Sequence, residues 1–201
     1  MRKVVVTTML TLDGVMQAPG APEEDPSDGF AFGGWTVPFV DDEGLDAKTA
    51  ELSVPFDLLL GRRTYEIFAG YWPNEPHSDI GKPLNDATKY VASRSRPSLD
   101  WGPAVLIEGD AAEGVAALKQ EDGPELQVHG SGNLAQTLIR HGLVDEFHLW
   151  VFPVVLGRGK RLFADGTVPA TLRLVESKIS ATGVFMGTYE PAGEVVTGSF
   201  S

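Results

Sequence analysis

Two short stretches sit where an apolar run gives way to a helical pattern: Gly61-Arg62-Arg63-Thr64 and His129-Gly130-Ser131-Gly132-Asn133. Glycine at such a corner lets the backbone turn and brings peptide N–H groups close to an anion, and the helix that follows adds partial positive charge at its N-terminus. Arg62 or Arg63 would add a forked, charge-assisted contact. Ser93-Arg94 closes a third apolar segment in the same way. Taken singly, each corner reads equally well as a plain turn with solvated arginines. The second also lacks the full spacing and the following acid of a dinucleotide fingerprint. Three donor-rich corners on one rim are what a long, multiply charged cofactor needs.

Proton chemistry has fewer candidates. Asp13 follows the first strand in Leu12-Asp13-Gly14, and Asp42 and Asp46 lie in the helical segment before Gly61. An Asp before Gly also makes turns, and acids at a helix start also complement its dipole. Asp145 and Glu146 read as capping or subunit contacts. His129 ends a strand beside the glycine turn, where it would touch a cofactor. His77, His141 and His148 have no partners at metal-ligand spacing, so no metal is expected. Trp35 and Phe39 flank a loop and serve either to stack on a planar ring or to anchor that loop to the core.

These residues must be positioned by a chain of 201 residues, 42% hydrophobic and 22% charged, with 23 Gly and 14 Pro. That composition excludes disorder and collagen and suits one domain, placed at residues 1–191 with a tail at 192–201. A net charge of -12 argues against nucleic acid and anionic membrane as partners. The chain has no Cys, which removes thiol catalysis and thiolate metal ligands. No signal peptide and no run of 18 apolar residues is found, and the cytoplasm is the expected location.

Apolar runs predict strands at Lys3–Met9, Phe56–Leu60, Thr88–Ser93, Ala104–Glu108, Leu126–His129 and Glu146–Phe152. Helical spacing predicts helices at Asp41–Leu52, from Arg62 to about Trp72, at Ala111–Gln120 and at Asn133–His141, the last ended by Gly142. Leu172–Ser180 and Val184–Tyr189 read as a closing antiparallel hairpin. The fold class is therefore α/β: a three-layer sandwich, with a mostly parallel central sheet and an antiparallel C-terminal strand. Such a sheet places ligands beyond the carboxyl ends of its parallel strands. The Gly-, Pro- and acid-rich segment 18–34 is expected to be a mobile flap.

LTLDGV, DLLLGRRTYEIFAGYWP, VASR and LQVHGSGNLAQTLIRHGLVDEFHLWVFPVVLGRGKRLF, in this order and followed by the hairpin, resemble the dihydrofolate reductase-like superfamily. Within it the chain is most similar to the reductase domain of bacterial riboflavin biosynthesis and its stand-alone relatives. The likeness runs from about Arg2 to about Pro191. It implies an NADPH-dependent oxidoreductase that passes hydride to a small heterocyclic or sugar-like substrate, as 5-amino-6-(5-phosphoribosylamino)uracil reductase does. It implies that Gly61, Arg62, Arg63 and Thr64 hold the adenosine-side phosphates, with Ser93 and Arg94 at the adenine ribose. Gly130, Ser131, Gly132, Asn133 and Leu134 would cradle the pyrophosphate. Leu12, Gly14, Trp35, Pro153, Val155 and Leu156 would border the ring or the substrate, and Asp13 or Asp46 would deliver the proton. A homodimer is expected. The zinc deaminase domain of the bifunctional enzymes is absent from this sequence. The alternatives are a non-catalytic nucleotide or small-molecule binding protein, or a dihydrofolate reductase.

Overall fold

The computed structural model describes residues 1–200. Its centre is one eight-stranded sheet: β1 (Val4–Thr11), β2 (Phe56–Gly61), β3 (Lys89–Ala92), β4 (Ala104–Ile107), β5 (Glu125–His129), β6 (Glu146–Phe152), β7 (Leu172–Ile179) and β8 (Phe185–Pro191). The spatial order is β4-β3-β2-β5-β1-β6-β8-β7. Pairs from β4 through β6 are parallel, whereas β8 runs antiparallel to β6 and to the edge strand β7. Five helices cover the sheet: α1 (Asp42–Glu51), α2 (Arg62–Tyr71), α3 (Gly81–Asp86), α4 (Ala111–Gln120) and α5 (Gly132–Arg140). The short helix α3, with proline at its third position, was not expected from periodicity.

Alternation along β2 explains the layers. Leu59 packs with Val115 of α4 and Leu134 and Leu138 of α5 on one face. Leu58 and Leu60 point the other way, against Tyr65 of α2 and Leu84 of α3. These side chains are almost fully buried, so a β2 that is apolar on both faces reads as a continuous run. Leaving β1, the chain skips one position to build β2, and β5 later fills the gap. The crevice formed by that reversal opens at the carboxyl ends of the strands.

Helix α1 departs from this pattern, because it contributes no fully buried apolar residue. A helix without an apolar stripe must be held by other means. Asp41 caps it through Gly44 N (2.8 Å) and accepts from Thr182 N (3.1 Å) and Thr182 Oγ1 (2.9 Å) in the β7–β8 turn. What α1 turns toward the sheet is one small apolar residue, Ala47, and two charges, Lys48 and Glu51.

Segment 18–34 is anchored rather than loose, contrary to the flap expectation. Trp35 Nε1 donates to Gln17 O (2.8 Å), and Gln17 Nε2 donates to Asp25 O (3.0 Å) and Ser27 O (3.1 Å). Phe30 is buried, and Trp35 meets Phe152 edge to face at 5.4 Å. The segment's composition is that of a loop, but Gln17 and Trp35, at its two ends, satisfy its backbone and fix its course.

Candidate functional site

A cleft of about 1900 Å³ runs along the carboxyl ends of β1 to β5. Gly61, Arg62, Arg63, Thr64, Ser93, Arg94, Gly130, Ser131, Gly132, Asn133 and Leu134 all line it. The two glycine corners are bonded to each other. Gly61 N donates to Ser131 Oγ (2.9 Å), and Ser131 N donates to Thr64 Oγ1 (3.0 Å). Gly130 and Ser131 are both left-handed, at φ +52° and +50°. A Cβ on Gly130 would stand 3.4 Å from Thr64 Oγ1. The turn is therefore tight, and for Ser131 it is strained.

Capping separates the helices that face the cleft. Asp41 caps α1, and Asp110 caps α4 through Ala112 N (2.9 Å) and Glu113 N (3.1 Å). Neither α2 nor α5 receives a side-chain cap. The first N–H groups of a helix have no partner within it, so these two ends present free donors and a positive dipole end to the cleft. Side chains add to that field: Lys48, Arg62, Arg63, Arg94, Arg140, Lys160 and Arg161 line the cleft against Glu24, Asp25, Asp110 and Asp165. A chain of net charge -12 thus carries a local cationic excess here. Arg62 pairs with Glu66 at 2.8 Å. Asp25 spans Arg63 (2.7 Å) and Lys160 (2.6 Å). Burial works against its charge, but Lys160 and Ser27 hold its carboxyl below the ordinary value. Arg94 has no ion-pair partner among the described residues.

The other end of the cleft is built by sheet register. Thr7 lies opposite His129 on β5 and opposite His148 on β6, so the three side chains share one row on the face that α1 covers. Glu51 of α1 is set into that row with its side chain 8% exposed. Its Oε1 accepts from Thr7 Oγ1 and lies 3.6 Å from His148 Nδ1; its Oε2 accepts from Lys48 Nζ at 2.8 Å. His148 Nε2 is 2.6 Å from Glu146 Oε1, and Glu146 Oε2 accepts from the exposed Lys3 at 3.0 Å. Burial alone would raise the Glu51 carboxyl, yet Lys48 and His148 hold it well below the usual carboxylate range. Burial also opposes charge on His148, but Glu51 and Glu146 raise its pKa above the ordinary imidazole value.

His129 is the opposite case. Desolvation, with Lys48 nearby, pushes it down to about 3, so the ring is neutral. Its tautomer follows from its neighbours. Glu125 can only accept, so Gln127 turns its amide N–H to Glu125 (2.8 Å) and its oxygen to His129 Nε2 (3.0 Å). Nε2 therefore carries the proton, and Nδ1 is an acceptor with no protein partner among the described residues. Thr7, Lys48, His129 and Trp150 line the cleft.

The acids named from sequence lie elsewhere. Asp13 is not among the residues lining the cleft. Its carboxylate accepts from Thr11 Oγ1 (2.6 Å), Leu156 N (3.1 Å) and Gly157 N (2.8 Å), which hold it down to about 2. It closes the turn at 156–157. Asp46 is exposed on α1 and does not line the cleft either. Leu12, Gly14, Trp35, Pro153, Val155 and Leu156 gather near the end of β1 but outside the cleft wall, with Leu12 and Val155 exposed and Trp35 buried in the core. The wall beside α1 is formed instead by Gln17, Ala18, Thr36, Val40, Leu52 and Trp150. Sequence reading missed Lys48, Glu51 and Thr7, because only register and the approach of α1 bring them together. The one available signal was an α1 with charges where an apolar stripe belongs. Among the described residues no group of three or more His, Asp and Glu side chains is arranged to hold a metal, and no helix is long and apolar enough to cross a membrane.

Residues 2–186 match a sequence model of the RibD C-terminal domain. The chain is similar to the uncharacterized protein YyaP of Bacillus subtilis (strain 168), at 30% identity over 196 residues and 94% of each chain. Among solved structures it is similar to one from Shewanella sp. PV-4 named for riboflavin biosynthesis, with a TM-score of 0.67, 21% identity and coverage of 94% of this chain and 99% of that one. It is also similar to dihydrofolate reductase from Enterococcus faecalis complexed with NADP(H), with a TM-score of 0.59, 16% identity and coverage of 94% and 96%. The fold is dihydrofolate reductase-like.

Proposed function

Because the chain belongs to the RibD C-terminal domain family, we propose that its cleft binds NADPH and that the protein reduces a small heterocyclic or sugar-like molecule. The observation that carries this reading is the pair of uncapped helix ends, α2 and α5, opening on one cleft in a chain that caps α1 and α4 with aspartate. Donors left free in this way, backed by arginine, suit a dianionic pyrophosphate and a further phosphate.

Gly61 to Thr64 would hold the adenosine-side phosphates. Gly130 to Leu134 would hold the pyrophosphate, with Gly130 giving the backbone room to approach. Arg94, without an ion-pair partner among the described residues and beside Ser93, would meet a 2′-phosphate, which favours NADPH over NADH. Bound in this cleft, the reduced nicotinamide supplies a hydride, and the protein's part is to orient the acceptor and exclude water. Leu52, Val40 and Trp150 would give the acceptor apolar contacts, and Thr7, Lys48 and His129 polar ones.

The test is a titration followed by tryptophan fluorescence, since Trp72 and Trp150 both line the cleft. NADPH is expected to quench at micromolar concentration and NADH to require far more. Failure of both dinucleotides to bind at millimolar concentration refutes the reading. NADPH oxidation is then followed with pyrimidine, pterin and quinone-like acceptors, including the ribosylamino-pyrimidine of riboflavin biosynthesis.

A further inference from the structure

Resting on the reductase reading, we propose that Lys48 is the group that meets the substrate, donating to an oxygen of a carbonyl or oxyanionic acceptor. The cleft then selects acceptors by that oxygen and rejects cationic rings such as a protonated pterin.

Lys48 Nζ makes one protein hydrogen bond among the described residues, to Glu51 Oε2 at 2.8 Å, and stands 5.1 Å from the Trp150 ring centroid. An ammonium has three N–H donors, so two remain for a ligand in the cleft that Lys48 and Trp150 both line. Glu51, the acid of the same helix, does not line the cleft, and its oxygens are engaged by Thr7, His148 and Lys48. A substrate in this pocket therefore meets the cation and not the carboxylate. Facing Lys48 are Glu51 on α1 and the neutral His129 on β5; behind Glu51 stand His148 and Glu146 on β6, with Lys3 at the rim.

The step balances on these groups. The carbonyl carbon takes the hydride that the bound dihydronicotinamide supplies, the C=O π pair moves to oxygen, and a Lys48 proton closes that oxygen as a hydroxyl. Glu51, with one oxygen on Lys48 and the other on Thr7 and 3.6 Å from His148, holds the lysine in place, and water entering the open cleft returns the proton to the lysine amine. Glu51 and His148 are positioning residues in this scheme.

Benzoate and benzamidine test the charge preference, being planar and alike in shape but opposite in charge. Benzoate is expected to shift the Trp150 indole and Lys48 ε-nitrogen resonances saturably, and benzamidine to leave both unmoved. Lys48→Met should weaken benzoate by about tenfold or more, and Lys48→Arg should retain it. Lys48→Met keeps the apolar stem and Lys48→Arg keeps the charge beside Glu51, and NADPH titration of each variant checks its fold and the cofactor half separately. Benzamidine binding at Trp150, no benzoate effect there, or equal benzoate affinity in Lys48→Met overturns the proposal while leaving the cofactor reading standing. Absence of NADPH binding in the wild type overturns that reading instead. The positioning contact has its own measurement: the His148 imidazole, followed by NMR against pH, should titrate lower in Glu51→Gln and higher in Lys48→Met. An unmoved His148 removes Glu51 and His148 from the scheme.

Discussion

Thr64→Val tests whether the bond between the two glycine corners prepares the cofactor site. The substitution keeps the shape of the side chain and removes the oxygen that accepts from Ser131 N at 3.0 Å. A donor left without its partner costs roughly 1–3 kcal/mol, and the lower half of that range applies because Thr64 is half-buried. Ser131 is held at φ +50°, a conformation that costs a non-glycine residue about 1–2 kcal/mol. Released from Thr64, residues 130–131 should relax toward negative φ and turn the first amides of α5 away from the cleft. At about 1.4 kcal/mol per decade, the Kd for NADPH should rise roughly five- to thirtyfold. The thermal midpoint should fall by roughly 2–8 °C for a chain of this size. Thr64→Ser keeps the oxygen and should keep both values. Isothermal titration of wild type and both variants, with melting followed by circular dichroism, decides the matter. A Thr64→Val protein that binds NADPH within twofold of wild type would refute the idea that this hydrogen bond organises the site.

Arg94→Ala should weaken NADPH by about tenfold or more and leave NADH unaffected, because the lost charge-assisted bond is to the 2′-phosphate alone; paired titrations of the two cofactors check it. Asp13→Asn should retain cofactor binding and turnover while losing roughly 1–3 kcal/mol of stability in urea unfolding, since its carboxylate closes the 156–157 turn and does not face the cleft. Stability should depend on pH on both sides of neutrality. The Glu51 carboxyl is depressed by folding, so its contribution is present above the unfolded value of about 4.3 and is lost as pH falls toward the folded one. The His148 imidazole is raised by folding, so its contribution is full below about 6.5 and is lost as pH rises through the folded value. Melting curves from acid to alkaline pH should therefore show the difference between wild type and His148→Gln shrinking on the alkaline side.

That the glycine corners share one cleft was legible in the sequence because their signals are local. Gly61 and Gly130 each follow an apolar strand and precede an amphipathic helix within a few residues, and a resemblance carried on GRRTYE and GSGNLAQTLIRHGLVDE fixed their order. The polar row at the other end of the cleft was not. Thr7, His129 and His148 stand far apart in the chain and meet only because β5 and β6 flank β1 in one register. His148 has no sequence neighbour that marks it, since its partner Glu51 arrives from a helix on the covering layer. Asp13 and Asp46 attracted notice as acids near expected corners, yet one is consumed by backbone amides and the other faces outward. The contacts that tie segment 18–34 to the body of the protein were hidden for the same reason, because Gln17 and Trp35 make them from outside its own composition.

Helix α1 sets only Ala47 against an apolar cluster, and this makes its other positions the place where the scaffold can diverge. Replacing a buried Leu of β2 disturbs the packing of a whole face of the sheet, whereas exchanging those positions of α1 leaves every apolar cluster intact. Selection, or an engineer building libraries there, can therefore vary one wall of the cleft while the glycine corners and the overall architecture persist.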